Sequence, residues 1–142
     1  MPEYDADFYG WANEQAALLR AGRLGDADVA NIAEEIESMG RSEKRELVNR
    51  LAVLLAHLLK WQFQPGLRGT SWRLTIEEQR RRLASHLKDN PSLKARLLEA
   101  SEEAYVLAVL AAQRDSGLDR AAFPLIDPYG PVLAMDEGFY PQ

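Results

Sequence analysis

Leucines stand at positions 47, 51, 54, 55, 58 and 59. At about 100° per residue, these side chains cover much of a helix's circumference. Only Glu46, Asn49, Arg50, His57, Lys60 and Gln64 make a narrow polar strip along it. A helix apolar on so many sides must be surrounded by other helices. The segment therefore constrains the chain more than any other: it belongs at the centre of an all-α bundle. A chain of 142 residues is long enough to build that core without disulfides or metal staples.

Gly and Pro divide the rest of the chain around this centre. A first helix is expected from Asp7 to about Ala21, with Phe8, Trp11, Ala12, Gln15, Leu18 and Leu19 on one face and Gly22 as its stop. A second begins near Asp26, read as its N-cap, with Asp28 in its first turn. It carries a stripe of Val29, Ile32, Ile36 and Met39 and ends at Gly40. The leucine helix is then the third, from Ser42 to Gln64-Pro65-Gly66. After a loop from Gly66 to Thr70, a fourth helix is capped by Thr70 or Ser71 and has Trp72, Ile76, Leu83 and Leu87 inward. Asp89-Asn90-Pro91-Ser92 breaks the chain and starts a fifth, reaching about Asp115. Its second half, Ala104 to Ala112, is apolar nearly all round, so it is either buried or a self-association surface. From about Leu118 the chain turns extended and spaces aromatics between prolines: Phe123-Pro124, Asp127-Pro128-Tyr129 and Phe139-Tyr140-Pro141. So many aromatics argue for a tail packed on the bundle, with a short helical turn from Pro128 to Met135. No strand signal is present. The expected organisation is one helical domain over residues 1–142: an irregular bundle of about five helices with a proline- and aromatic-rich tail.

Composition removes several function classes. Hydrophobic residues are 46% and charged residues 27%, as in an ordinary soluble domain. Without cysteine there is neither a disulfide nor a thiolate metal ligand, which fits a cytoplasmic location. Two histidines, His57 and His86, are too few for a three-histidine zinc site. The net charge of −5 argues against a general nucleic-acid binder, which needs a positive field. The acidic start, Met1-Pro2-Glu3-Tyr4-Asp5, is unlike a signal peptide. The stretch from Leu51 to Leu59 is too short to span a bilayer, so no membrane partner is expected.

The chain resembles domain-of-unknown-function family twenty-nine, small prokaryotic proteins. The residues that carry the resemblance are Asp7-Phe8-Tyr9-Gly10-Trp11 with Leu18-Leu19-Arg20, Glu34-Glu35-Ile36-Glu37-Ser38-Met39-Gly40, and His57-Leu58-Leu59-Lys60-Trp61-Gln62 with Gln64-Pro65. It continues in Ser71-Trp72, Asn90-Pro91-Ser92-Leu93, Phe123-Pro124 and Asp127-Pro128-Tyr129, so it covers nearly the whole chain. It implies a helical prokaryotic cytosolic domain and brings no catalytic residue, ligand or partner with it. Gly10 departs from the pattern, since many relatives have a larger residue there, and it weakens the start of the first helix.

Two of these motifs, Glu34-Glu35-Ile36-Glu37 and His57 to Trp61, together suggest an acid–base or metal centre. A hairpin at Gly40 separates them. It sets Glu35 level with about Arg45 and leaves His57 roughly 18 Å further along. Glu34, Glu35 and Glu37 then read as surface ion pairs with Arg41, Arg45 or Lys44, or as an acidic interaction surface. His57 and Lys60 share the polar strip and face the region of Ile76 to Gln79, where Glu77 and Glu78 supply carboxylates. That cluster is either a buried polar network or a catalytic or ligand pocket with His57 as base. No nucleophile accompanies it. Trp61 and Trp72 read as core or as walls of a groove. Arg68, Ser71 and Arg73 are candidate anion-binding residues in the loop before the fourth helix. Arg80-Arg81-Arg82 is a basic cluster: a solvated face, or a nucleic-acid contact that no recognised motif supports. No metal or cofactor is implied. The leading expectation is a non-enzymatic interaction or adaptor module whose partner is another protein, or a second copy bound through the fifth helix. The alternative is a small-ligand binder or enzyme at His57 and Lys60, and the third is nucleic-acid binding near Arg80.

Overall fold

The computed structural model describes residues 1–142 and is all-α, with no strand. The helices are α1 (Phe8–Arg20), α2 (Val29–Phe63), α3 (Thr70–Asp89), α4 (Leu97–Ser116) and α5 (Gly130–Met135). Short 3-10 turns fill most of the connections. The chain divides into two compact units, Met1–Ser42 and Glu43–Gln142.

The main departure from expectation is at Gly40. The second and third expected helices are one helix of 35 residues, and no hairpin separates them. Glycine disfavours a helix interior but does not forbid one. Here it is exposed, and Glu34 and Glu37 reach across it to Arg41 at 3.1 and 3.9 Å. Arg45 is therefore not level with Glu35 across a turn; both lie on the same helix.

In the first unit, Asp7 caps α1 by accepting a hydrogen bond from the Gly10 amide. Gly10 leaves room for that cap, because a Cβ there would run into the Asp7 carboxylate. At the other end, Gly22 has φ +73°. The Gly22 and Arg23 amides donate back to the carbonyls of Leu19 and Leu18, the paired bonds of a Schellman stop. Asp26 is not the cap of α2; it lies in the preceding turn and pairs with Arg23 at 2.8 Å. Asp28 takes the capping role, accepting from the Asn31 amide and, at 2.8 Å, from the Asn31 side chain. Buried Trp11 donates to Asp28 at 3.0 Å, and the Asp28 amide donates to Gln15 at 2.7 Å. The Asn31 and Trp11 donors hold the Asp28 carboxyl below its ordinary range, the Asn31 side-chain bond contributing most.

The second unit holds the leucine core. Leu47, Leu51, Leu54, Leu55, Leu58 and Leu59 are all fully buried, each stabilising by about 1.5–3 kcal/mol relative to exposure. They join Ile76, Leu83 and Leu87 of α3 and Ala100, Ala104, Ala108 and Ala112 of α4. The four alanines recur every fourth residue on the buried side, where small side chains let α4 lie close to its neighbours. Val106, Leu107 and Leu110 face outward instead. Residues 91–96 form 3-10 turns, so the α-helical part of the expected fifth helix starts later, at Leu97.

The tail from Leu118 packs on this core. Phe123 is buried against Phe63, Tyr140 lies on Trp61, and Tyr129 lies on Phe139. Hydrogen bonds join tail and bundle. Tyr105 donates to Pro124 at 2.6 Å, and Tyr129 donates to Gln62 at 2.7 Å. Arg80 supplies the firmest anchor. Only 3% exposed, it donates to the carbonyls of Ala134 (2.9 Å), Glu137 (3.3 Å) and Phe139, with its guanidinium 5.2 Å from the Tyr140 ring.

Candidate functional site

Arg80-Arg81-Arg82 does not make one basic surface. Arg80 points into the tail, Arg81 pairs with Glu77 at 3.2 Å and Arg82 with Glu78 at 3.1 Å. Both pairs are intrahelical, four residues apart, and exposed, so each contributes less than about 0.5 kcal/mol. Glu77 and Glu78 are thus engaged by their own helix. The carboxylate that meets Lys60 comes from α4: Lys60 Nζ lies 3.0 Å from Asp115 Oδ2. The Lys60 stem is buried, and its ammonium sits 5.3 Å from the Trp72 ring centroid.

His57 is half-buried beside this pair, and its Nδ1 is 2.8 Å from the Val53 carbonyl. A carbonyl can only accept, so the proton belongs on Nδ1 and Nε2 is left as a free base. Desolvation is the largest influence on the ring and pushes its pKa below the usual histidine value; Lys60 acts in the same direction. The carbonyl bond and Asp115 oppose the shift.

In the loop before α3, Arg68 is committed to the chain itself. It donates to the Trp61 carbonyl at 2.7 Å and to the carbonyls of Pro141 and Gln142 at 3.4 Å, stacked over the Trp61 ring. The Ser71 carbonyl accepts from the Thr75 hydroxyl. Arg73, in the first turn of α3, is exposed. Trp61 and Trp72 are partly buried, packed by Tyr140 and Lys60 respectively.

Two arrangements were not read from the sequence. One is at the far end of the α2–α3 pair. His86, 8% exposed, reaches Glu43 and Glu46 of α2: Nε2 is 2.8 Å from the Glu43 carbonyl, and Nδ1 is 3.1 Å from Glu46 and 3.6 Å from Glu43 carboxylate oxygens. The axial argument that sets His57 level with Glu77 across the Gln64 loop also sets His86 level with about Val48, within one turn of Glu46.

The other is an apolar groove in the first unit, about 270 Å³, walled by Phe8, Trp11, Leu19, Ile32, Ile36 and Met39. The stripe expected to be core is therefore largely open: Ile36 is 64% exposed and Met39 66%. Glu35 lines the same groove and accepts a hydrogen bond from the Tyr4 hydroxyl. That bond is the main reason the Tyr4 phenol is pushed up to about 12.

No helix is long and apolar enough to cross a membrane. No curated protein and no solved structure matches the chain. A family model described as Domain of unknown function DUF29 matches residues 3–140, nearly the whole length, and the chain belongs to that family.

Proposed function

We propose that the protein is an interaction module whose first unit receives an amphipathic helix with a basic flank. The groove between Phe8, Leu19, Ile36 and Met39 is the observation that carries this reading. Exposed contiguous apolar surface of this kind marks a contact site, and methionine adapts its shape to a helical ligand. Charge selects the flank. Residues 1–42 hold nine carboxylates against three arginines, a net of −6, whereas residues 43–142 hold thirteen against fourteen cations, a net of +1. A partner carrying lysines or arginines beside its apolar face gains steering and register from that field. Glu35, which lines the groove, is the interaction residue there, with Glu34 and Glu37 on the same helix.

A photo-crosslinker at Met39 tests this in host extract, with one at exposed Leu125 as the control. The expected product is specific to position 39 and contains a basic helical segment. A synthetic peptide of that segment should then bind the full chain, and Ile36→Asp should weaken binding at least about ten-fold, as a lost buried anchor does. Identical products from both positions, or a product containing only a second copy, would refute it.

A second reading, small-ligand chemistry at His57, Lys60 and Asp115, draws on one observation: the Val53 bond leaves Nε2 of His57 unprotonated beside a cation. Anionic compounds would be its ligands. A thermal-shift screen should find one whose stabilisation vanishes in Lys60→Met; a screen without such a compound removes the reading.

A further inference from the structure

His86 carries a contradiction that a bound cation resolves. Its Nε2 donates to the Glu43 carbonyl at 2.8 Å, which places the proton there. Nδ1 then turns its lone pair toward two carboxylate oxygens, at 3.1 and 3.6 Å, which are acceptors as well. At these separations no water fits between the nitrogen and either oxygen, although the groove beside them is open to solvent. Either a second proton or a metal ion must stand between them.

The geometry favours the metal. Tetrahedral bonds of about 2.0–2.1 Å set neighbouring ligand atoms about 3.4 Å apart; the two nitrogen–oxygen separations bracket that value, and all three donors lie within 4.8 Å of one another. A histidine whose second nitrogen donates to a backbone carbonyl is oriented as metal-ligating histidines are. Arg50 holds the other oxygen of Glu46 at 2.7 and 3.1 Å, aiming Oε2 at the site. The donors open on a groove of about 440 Å³, with room for water in the remaining coordination positions.

We propose that Glu43, Glu46 and His86 bind a divalent first-row transition metal, Zn²⁺ or Mn²⁺, with water completing the coordination. One imidazole and two carboxylates suit these ions; Ca²⁺ and Mg²⁺ prefer all-oxygen sites. Chelator-treated full-length protein should take up one equivalent of ZnCl₂ or MnCl₂ by calorimetry. Glu43→Gln and Glu46→Gln should each weaken uptake at least about ten-fold, while Glu103→Gln on the exposed side of α4 should not. Nitrogen NMR of the unmutated protein supplies a readout independent of any variant's folding: Zn²⁺ should shift His86 Nδ1 while the Nε2 proton persists. An imidazole protonated on both nitrogens and unmoved by excess Zn²⁺ would overturn the site. So would uptake that neither glutamine substitution weakens.

Discussion

Replacing Gly40 by alanine adds one methyl group to open space, since no atom lies within 4 Å of the new Cβ. Position 40 is exposed and lies in the interior of a 35-residue helix, so no packing change accompanies the substitution. What remains is backbone entropy. Alanine in a helix interior is favoured over glycine by about 0.8–1 kcal/mol, so Gly40→Ala should stabilise α2 by about 1 kcal/mol. Were Gly40 instead the left-handed stop of a hairpin, the same methyl would meet its own carbonyl and cost about 1 kcal/mol or more. The two geometries thus differ in sign. Gly117, at φ +74° after α4, is the internal control, and Gly117→Ala should destabilise. Hydrogen exchange of the amides from Ser38 to Glu43 is the suitable assay, because it reports opening of this segment even if the two units unfold separately. Protection should rise about five-fold, the factor equivalent to 1 kcal/mol. A fall in protection in Gly40→Ala, matching that in Gly117→Ala near its own site, would refute the continuous helix.

Arg80→Met removes the donor to three tail carbonyls and should cost about 2–4 kcal/mol in urea unfolding, with new proteolytic cleavage after Gly130. Arg81→Met, which loses only an exposed pair with Glu77, should stay within about 0.5 kcal/mol. The Lys60–Asp115 pair should respond asymmetrically in the same assay. Asp115→Asn leaves a buried ammonium without counter-charge and should cost about 1–3 kcal/mol, whereas Lys60→Met leaves a half-exposed carboxylate that rehydrates and should cost less than about 1 kcal/mol. For His57, the folded pKa lies below the unfolded one, so the unfolded chain binds the extra proton first as pH falls. Its contribution is therefore present above about pH 6.5 and lost as pH falls toward the folded value. His57→Gln should flatten that part of the stability–pH curve.

The elements follow from local signals. Apolar periodicity located the helices, Gly22 and Gly117 stop α1 and α4, and Asn90-Pro91 breaks α3 from α4. Trp72 comes beside Lys60 across the short loop, whereas Lys60 was expected to face Ile76 to Gln79. The direction each side chain faces was not legible, because rotation about the helix axis is decided by packing against a third element. That is why Lys60 meets Asp115 of α4 rather than Glu77 or Glu78 of α3, and why Arg80 turns into the tail while Arg81 and Arg82 turn out. At Gly40 a local signal failed outright. A glycine followed by Arg41-Ser42 resembles a stop, but no proline follows, and the Arg41 pairs with Glu34 and Glu37 favour continuation.

Removing the hairpin also changes what the acidic residues explain. Of the nine carboxylates in residues 1–42, Asp26, Glu34 and Glu37 meet an arginine. Those pairs are exposed, and each stabilises by less than about 1 kcal/mol. The remaining charge repels itself and works against compactness. One of these carboxylates, Glu35, lines a groove whose own apolar side chains remain in water. Both unfavourable features would be relieved by the same event, the docking of an apolar surface edged with cations. If so, added salt should have opposite effects on the two states. It screens the repulsion and stabilises the free protein, while it weakens association with a basic partner by screening the attraction. A partner whose affinity is indifferent to salt between low and physiological ionic strength would match the groove but not the carboxylates, and would separate the two halves of the proposal.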